Sequence, residues 1–293
     1  MLDENKMTIF TPTYNRAYIL SRLYESLRSQ TCKSFEWIIV DDGSTDNTKS
    51  LIEQWIKSGD INIRYYYQKN GGKQRAHNKG VEEAQNYLFA CVDSDDYVTP
   101  DFVQKHLKCA QTIKDNGEIA GIISLKGYSD TKPVGTSFPK GLDVTTIHKL
   151  YGKYKFRGDA TIVCYTEILR QYPFIVDPDE KFIGEGFVFS QIDQKYTLKV
   201  LPEILMIVEY LDDGYSKNVR KLTKKNPKGY ARLKKQTVEY AETWMERYTQ
   251  TILYMVGCRM SNQPQIQDAP YKILAILAYF PAWLTWKIFY EKV

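Results

Sequence analysis

The stretch that decides the fold reads Phe89-Ala90-Cys91-Val92-Asp93-Ser94-Asp95-Asp96, an apolar run followed at once by three carboxylates within four residues. The apolar run predicts a buried strand, and the acidic residues mark its end. Ionised carboxylates so close together repel one another and are costly to remove from water unless a positive charge lies between them. A divalent cation is the simplest such partner, and carboxylate oxygens suit Mg²⁺ or Mn²⁺.

Apolar runs and helical patterns alternate on both sides of this strand. Strands are predicted at Met7–Phe10, Phe35–Val40, Ile63–Tyr67, Leu88–Val92 and Ile119–Leu125. The helices between them are predicted from Ile19, from a cap at Ser44 or Thr45, over Arg75–Leu88 and from Pro100. The alternation indicates an α/β fold with a Rossmann-like, doubly wound and mostly parallel sheet.

The pattern is less regular after Gly127. Short strands near Thr161–Val163 and Thr197–Val200 are predicted to extend the same sheet, and Pro178–Phe189 is predicted to be a loop that enters a short helix. Apolar residues from Tyr230 to Val256 recur at helical spacing. This spacing predicts one long helix that Gly257 closes.

Composition narrows the class of protein. The 293 residues, 43% of them hydrophobic, suffice for one large domain with a smaller appendage. The net charge of +5 includes a denser basic run at 217–235, which we interpret as a solvated face, and no nucleic-acid partner is expected. Five cysteines without metal-ligand spacing predict reduced thiols and a cytoplasmic location. We expect no signal peptide and no apolar run of the roughly 18 residues that span a membrane.

Three polar loops follow the predicted strands, at Pro12–Arg16, Asp41–Asp46 and Asp93–Asp96. In an open parallel sheet, ligands bind beyond the carboxyl ends of the strands, so these loops are expected to line one site. The first loop offers the aromatic face of Tyr14 for a base. The second offers carboxylates that accept an N–H, and the third offers oxygens for a metal.

Four motifs in this order resemble those of family 2 glycosyltransferases with the GT-A fold. They are Thr-Pro-Thr-Tyr-Asn-Arg at 11–16, Ile-Val-Asp-Asp-Gly-Ser-Thr-Asp at 39–46, Gly71-Gly72 with Ala-His-Asn-Lys-Gly at 76–80, and Asp-Ser-Asp-Asp at 93–96. The resemblance is close over residues 7–125 and weaker as far as 210. It implies a GT-A catalytic domain over 1–215, with a nucleotide-sugar-binding half at 1–125 and an acceptor half at 126–215. Residues 216–293 would form a helical C-terminal extension.

The resemblance implies a metal-dependent, inverting hexosyl or N-acetylhexosaminyl transfer from a nucleoside diphosphate sugar, most often a UDP-sugar. The acceptor would be a saccharide or a lipid-linked molecule, as in bacterial surface polysaccharide synthesis. Asp95 is then expected to bind Mn²⁺ or Mg²⁺, and Asp42, or less favourably Asp41, to accept the N3–H of the base. The residues assigned to the nucleotide sugar are Pro12, Thr13, Tyr14, Arg16, Asp41, Asp42, Gly72, Lys73, Asn78, Asp93 and Ser94. Two residues have alternatives: Lys73 as a solvated side chain and Asp96 as a helix cap.

An inverting transfer needs a carboxylate that deprotonates the acceptor hydroxyl. Glu185 is assigned this role, although the family commonly has a Glu-Asp pair here with the Asp as base, and this chain has Gly186 at the Asp position. Asp159 and Glu180 are alternative bases. Glu185 also has a structural interpretation, as a carboxylate that the dipole of the following helix stabilises.

The apolar segment Ile273–Trp286 is flanked by Lys272, Lys287 and Lys292 and contains Pro281. Two interpretations stay open for residues 271–290. They form a helix in the headgroup region on the inner face of the cell membrane, which would suit a lipid-linked acceptor, or a helix docked on the protein or on a second subunit of a homo-oligomer.

Two functions from other classes are alternatives to glycosyl transfer. A sugar nucleotidyltransferase would need a Gly-rich basic loop after the first strand, and Thr11–Arg16 does not provide one. A non-catalytic module that binds a nucleotide sugar is compatible with the glycine at position 186.

Overall fold

The computed structural model describes residues 2–114, 116–209 and 218–291. Two compact units are present. Unit 1 contains residues 1–173 and 195–209, and unit 2 contains residues 174–194 and 210–293. The predicted domain boundary at 215/216 lies outside the described residues. Residues 174–194, assigned above to the acceptor half, group with the C-terminal helices, and the division into donor and acceptor halves stays a prediction.

Unit 1 is built on one nine-stranded sheet in the order β3-β2-β1-β4-β8-β6-β9-β5, with β7 beside β9. Its strands are β1 (Asp3–Thr13), β2 (Phe35–Asp41), β3 (Ile63–Tyr67), β4 (Asn86–Cys91), β5 (Tyr97–Val98), β6 (Ile119–Gly127), β7 (Val144–Thr145), β8 (Ala160–Tyr165) and β9 (Thr197–Ile207). The pairs β1/β2, β1/β4, β2/β3 and β6/β9 are parallel, whereas β5, β7 and β8 run antiparallel to their neighbours. This confirms the predicted α/β fold with a mostly parallel sheet, and β8 and β9 extend that sheet as expected.

Helices connect these strands, and their apolar faces cover the sheet. They are α1 (Leu20–Arg28), α2 (Thr48–Ser58), α3 (Lys73–Glu83), α4 (Phe102–Gln111), α5 (Ile147–Gly152) and α6 (Thr166–Gln171). Helix α1 buries Leu20, Leu23, Tyr24 and Leu27, the i, i+3, i+4, i+7 spacing of one helix face. In the core, Tyr24 stacks on Trp55 with ring centroids 4.4 Å apart. The indole N–H of Trp37 is satisfied by the Thr11 hydroxyl at 2.9 Å.

Two local predictions in unit 1 are wrong. Helix α3 ends at Glu83, not at Leu88, because Asn86 and Leu88 pair with β1 as part of β4. Ser44 and Thr45 do not cap α2, which begins at Thr48. The Asp46 carboxylate instead accepts the Thr48 amide at 3.0 Å, while Ser44 is used by the neighbouring loop.

Unit 2 is helical, with α7 (Gly186–Ile192), α8 (Val219–Lys225), α9 (Pro227–Tyr240), α10 (Trp244–Met260) and α11 (Lys272–Phe289). The predicted long helix from Tyr230 to Val256 is wrong, because the chain is extended at Thr243, whose hydroxyl caps α10 by accepting the Glu246 amide at 3.1 Å. Gly257 does not close a helix either. It lies inside α10 where a Cβ would be 2.8 Å from the Ala231 Cα, so the glycine allows α9 and α10 to approach closely.

The predicted apolar helix near the C-terminus is present as α11, and Pro281 does not interrupt it. With 18 residues, α11 is longer than the sequence predicted. Its length and composition would allow it to cross a membrane, and among the described residues one helix, α11, meets this criterion. All five cysteines are free thiols, in agreement with the predicted absence of disulfides.

Candidate functional site

The three polar loops lie side by side at the carboxyl edge of the sheet. Strand β1 pairs in parallel with β2 on one side and with β4 on the other, so the loops that follow these strands are neighbours. Two hydrogen bonds extend the pairing into the loops: the Asp42 amide donates to the Thr13 carbonyl at 2.8 Å, and the Val92 amide donates to the Phe10 carbonyl at 2.9 Å. The predicted clustering of the loops is confirmed.

The first two loops are joined by reciprocal hydrogen bonds of Asn15. Its amide donates to the Ser44 hydroxyl at 2.8 Å, and its side-chain oxygen accepts the Thr45 amide at 2.8 Å. Asn15 has a positive φ of 53°, a conformation that asparagine tolerates better than most residues. The loop leaves Tyr14 49% exposed, so one aromatic face is available to a ligand.

The polar residues around Tyr14 are less exposed. Pro12 and Thr13 are buried at the end of β1. The Thr13 hydroxyl is buried without a hydrogen-bond partner among the described residues. A buried hydroxyl without a partner is costly, so a bound ligand would be a favourable partner for it. The Arg16 amide donates to the Thr48 hydroxyl at 3.2 Å, and its guanidinium donates to the Tyr18 hydroxyl at 2.5 Å.

Asp41 has a structural role. Its fully buried carboxylate accepts the Ser44 amide at 2.7 Å on one oxygen and the Tyr65 hydroxyl at 2.8 Å on the other. Burial, and then the hydrogen bond to Asp41, raise the pKa of Tyr65 well above its usual range, so this phenol stays a donor. Asp41 therefore holds the second loop against β3.

Asp42 holds the Gly-Gly turn that precedes α3. One carboxylate oxygen accepts the Gln68 side-chain amide at 2.7 Å and the Gly71 amide at 2.8 Å, and the other accepts the Gly72 amide at 2.7 Å. Gly72 has φ 95°, a conformation that favours glycine. These three donors leave room for about one more on the carboxylate, so the geometry is compatible with a base N–H as a fourth partner.

The turn brings Lys73 to the third loop. The Lys73 ammonium lies 2.8 Å from both carboxylate oxygens of Asp93, and its side chain is only 17% exposed. Lys73 is therefore not a solvated surface residue, and it connects the Gly-Gly turn to the acidic cluster. Arg75, two residues further along α3, donates to the Gly71 carbonyl at 2.7 Å.

Negative charge is incompletely compensated at Asp95. Burial, followed by the charge of Asp93, raises the pKa of the Asp95 carboxyl against the opposing effects of Arg16 and Lys73. Because the ionised form of a carboxylate is disfavoured where its pKa is raised, a cation at Asp95 would relieve this cost.

Asp96 has a cationic partner that the sequence analysis did not assign. Its side chain is buried, and its carboxylate lies 3.8 Å from the ammonium of Lys126, a residue at the end of β6. The same ammonium lies 3.6 Å from the carboxylate of Asp159. Burial raises the pKa of Asp96 well above its usual range, and Lys126 opposes this effect. Asp96 does not cap a helix, since Asp101 precedes α4. The only signal for Lys126 in the sequence was a single basic residue at the end of an apolar strand.

Two further residues that the sequence analysis assigned to the nucleotide sugar lie in the acidic loop and on α3, and their assignment stays a prediction. Ser94 is 7% exposed within the acidic loop, and Asn78 lies on α3 with a partly buried side chain. On the same helix, His77 packs edge-on against Phe10 and Phe89, with ring centroids 5.6 Å and 5.3 Å away. His77 therefore acts as a packing residue.

The donor set fits a metal that is bound partly by its substrate. Among the residues that the structure describes, no group of three or more His, Cys, Asp or Glu side chains is arranged to enclose a metal ion. Mg²⁺ is commonly bound through one or two carboxylates together with substrate phosphates, so a full protein cage is not required. Asp95, with Asp93 beside it, fits this kind of site.

The candidate bases lie in different units. Glu185 is exposed and directly precedes α7 in unit 2, where it makes no side-chain capping hydrogen bond to that helix. A Cβ on Gly186 would lie 3.8 Å from Leu233, so packing does not require the glycine there. Glu180 is buried, and its two oxygens accept the amides of Lys228 and Gly229 at 2.7 Å, which caps α9. Asp159 belongs to unit 1, beside Lys126 and the acidic cluster.

The family model described as "Glycosyl transferase family 2" matches residues 8–172, which cover more than half of the chain and include every loop described above in unit 1. The chain is a member of glycosyl transferase family 2. The first curated relatives match over 108 or 109 residues at 35% to 38% identity, and the chain spans only 18% to 31% of their length. A longer match, 26% identical, covers 93% of this chain and 83% of "Uncharacterized glycosyltransferase EpsJ" from Bacillus subtilis.

Two solved structures share the fold of this family 2 member. S. aureus TarS in complex with UDP-GlcNAc superposes with a TM-score of 0.57 at 17% identity, over 98% of this chain and 92% of that one. A mannosyltransferase from Pyrobaculum calidifontis in complex with GDP-Man and Mn²⁺ superposes with a TM-score of 0.55 at 15% identity, over 97% and 82% of the two chains. At these identities the likeness establishes the GT-A-type fold.

Proposed function

We propose that this family 2 member is an inverting, metal-dependent glycosyltransferase. It moves a hexosyl or N-acetylhexosaminyl group from a nucleoside diphosphate sugar, namely a UDP-sugar. The acceptor is a saccharide or a lipid-linked molecule in surface polysaccharide synthesis. The observation that carries the proposal is the Lys73–Asp93 ion pair beside Asp95 at the carboxyl edge of the sheet. This edge is where open α/β sheets bind ligands.

The donor half of the proposal rests on unit 1. Tyr14 offers an exposed ring for stacking of the base, and Asp42 has capacity for one further N–H donor. Lys73 supplies positive charge where a diphosphate would lie, and the unpartnered Thr13 hydroxyl is available to the nucleotide. The TarS and mannosyltransferase complexes contain UDP-GlcNAc and GDP-Man respectively, so a diphosphate sugar is the class of donor that fits this fold.

A divalent ion would act as a Lewis acid on the diphosphate and offset the charge that develops as this group leaves. Asp95 would hold the ion, since burial, followed by the charge of Asp93, raises the pKa of its carboxyl, and a bound cation would favour the ionised form. Asp93 is held by Lys73, and Asp96 is held by Lys126, which leaves Asp95 as the ligand.

Glu185 is the proposed base, because it is an exposed carboxylate that does not cap its own helix. Asp159 is the second candidate, since it lies beside the acidic cluster within unit 1. Glu180 is the weakest candidate, because both of its oxygens accept backbone amides.

Calorimetric titration of UDP in the presence of MnCl₂ tests the donor site. The wild-type protein should bind UDP, and Asp95→Asn should weaken this Mn²⁺-dependent binding by at least about tenfold, since it removes the charged ligand. Asp60→Asn is the matched control, because Asp60 is an exposed acid that follows α2 and precedes β3 at the opposite edge of the sheet. Equal binding by wild type and Asp95→Asn would refute the metal assignment.

A panel of UDP- and GDP-sugars, assayed for hydrolysis and transfer with Mn²⁺, separates catalysis from binding. Turnover of one donor class is the expected result. UDP binding without turnover of any donor would instead favour a non-catalytic module, and synthesis of a nucleotide sugar from a triphosphate would favour a nucleotidyltransferase.

A further inference from the structure

Helix α11 presents a broad apolar face that the described part of unit 2 leaves exposed. The large exposed side chains on this face are Ile273 (77%), Ile276 (59%), Leu277 (59%), Phe280 (66%), Leu284 (42%) and Ile288 (61%). Successive residues of an α-helix are about 100° apart around its axis. These six side chains therefore project within roughly 60° on either side of one line along the helix. Single exposed apolar residues need no explanation, but a contiguous row of six marks an interaction surface.

The opposite face of α11 is packed inside unit 2. Leu274, Ala275, Ala278 and Ala282 are its buried residues, and the three alanines belong to one core cluster with residues of α9 and α10. Helix α11 is therefore apolar on both faces, and one face already has a protein partner. The exposed face requires a different partner.

The backbone of α11 is arranged to keep this face continuous. Pro281 has no N–H to donate to the Leu277 carbonyl, which would leave that oxygen without its helical partner. The Tyr248 hydroxyl from α10 donates to the same carbonyl at 3.4 Å. The helix therefore passes through the proline from Lys272 to Phe289, and Phe280 and Leu284 stay on the same face as Ile273.

Positive charge lies at the C-terminal end of α11. Helix α11 has no acidic residue, and the Lys287 ammonium lies 5.0 Å from the ring of Trp283. Helix α8 also lacks acids, and its Arg220 guanidinium lies 5.2 Å from the ring of Phe289, which brings the basic residues of α8 to the end of α11. Glu291 is the one acid within residues 271–291.

We propose that the exposed face of α11, together with basic helix α8, docks in the plane of a bilayer that contains anionic lipids. Apolar side chains would enter the boundary between headgroups and acyl chains, and Arg220, Lys221 and Lys225 would meet the lipid charge. Aromatic residues beside lysines, such as Trp283 and Lys287, are typical of the membrane interface.

Two other partners fit the surface less well. A twofold contact that pairs two copies of α11 in parallel would bring Lys287 of both copies toward one another, which like charge opposes. An antiparallel pairing would separate these charges, and the dimer measurement below tests it. A membrane-spanning α11 would bring α10 into the bilayer, because the two helices share a core cluster, and α10 carries Glu246, Arg247 and Arg259. Charged side chains are costly at that depth.

Vesicle flotation of the full chain tests the proposal. Wild type should float with phosphatidylcholine vesicles that contain about 30% phosphatidylglycerol, and at least about tenfold less with pure phosphatidylcholine. Ile276→Glu with Phe280→Glu should abolish flotation, and Lys221→Glu with Lys225→Glu should reduce it at least about fivefold on the anionic vesicles alone. Ile56→Glu, at an exposed isoleucine of α2 in unit 1, is the matched control and should float like wild type.

Three results would overturn the proposal. The first is a wild-type chain that floats with neither vesicle, or that still floats with Glu at 276 and 280. The second is a protein that does not bind vesicles but forms a dimer in sedimentation velocity, where the same two substitutions dissociate the dimer. This result would identify a second copy as the partner. The third is resistance of the bound protein to alkaline carbonate extraction, as expected of a spanning helix. UDP titration of each variant checks that unit 1 is folded, and its outcome is independent of lipid binding.

Discussion

Replacement of Asp42 by asparagine should destabilise the turn at residues 70–73 and, through it, the donor site. In the structure the Asp42 carboxylate accepts three N–H groups, from the Gln68 side chain and from the amides of Gly71 and Gly72. An asparagine has one acceptor oxygen, so its NH₂ group must face at least one of these donors. Because a hydrogen bond to a charged acceptor is worth about 1.5–3 kcal/mol, unfolding of unit 1 should become easier by about 2–3 kcal/mol.

Two measurements follow this change. With a urea m-value of about 2–3 kcal/mol/M, the unfolding midpoint should fall by about 1 M. Hydrogen exchange of a peptide covering residues 68–75 should accelerate, since the amides of Gly71 and Gly72 lose their acceptor. UDP affinity should fall as well, because the same turn places Lys73 against Asp93. Gln68→Ala is the matched control: it removes one of the three donors but keeps the carboxylate as acceptor for Gly71 and Gly72, so it should destabilise less than Asp42→Asn and leave exchange of these two amides unchanged.

The result that refutes this argument is an Asp42→Asn protein with an unchanged midpoint and unchanged exchange at 68–75. If such a protein also lost UDP affinity, Asp42 would act on the base alone. If UDP affinity were unchanged too, neither the turn nor the base would depend on the charge of Asp42.

Two further predictions concern catalysis and pH. Glu185→Gln should remove sugar transfer, while its UDP affinity in calorimetry should stay near that of wild type. If Glu185→Gln retained transfer and Asp159→Asn lost it, Asp159 would be the base instead. His106 is fully buried, and burial lowers its pKa to about 4, against 6.5 in the unfolded chain. As the pH falls, the unfolded chain therefore binds the proton first. The stability that is present above pH 6.5 is lost as the pH falls toward 4. In urea unfolding, the free energy of unfolding of wild type relative to His106→Gln should fall by about 2 kcal/mol between pH 7.5 and 5; an unchanged difference between the two proteins would contradict the assignment to His106.

Much of the candidate donor site followed from local sequence patterns. The strand that ends at the acidic cluster, the loop with Tyr14 and the Gly-Gly turn all lie where they were predicted, because apolar periodicity and turn residues act over a few positions. Their spatial clustering also followed, since parallel strands place their carboxyl ends on one edge.

The errors share a different cause. The break between α9 and α10 depends on the cap at Thr243, and the end of α3 depends on the pairing of β4 with β1. In both cases the apolar spacing continued across the boundary, so the pattern alone predicted a longer helix. A tertiary contact, the pairing of β4 with β1, ended α3, and a local cap at Thr243 separated α9 from α10.

The sequence by itself determined that an α/β sheet presents three polar loops, with three carboxylates at one strand end, and its ordered motifs indicated the family. Only the tertiary structure decided which partner each carboxylate has: Tyr65 for Asp41, the Gly-Gly turn for Asp42, and Lys126 for Asp96. It also decided that one face of α11 is packed while the other is exposed. The physical reason is that charge compensation and burial depend on residues far apart in the chain, whose approach is set by strand order and helix packing, which local periodicity does not encode.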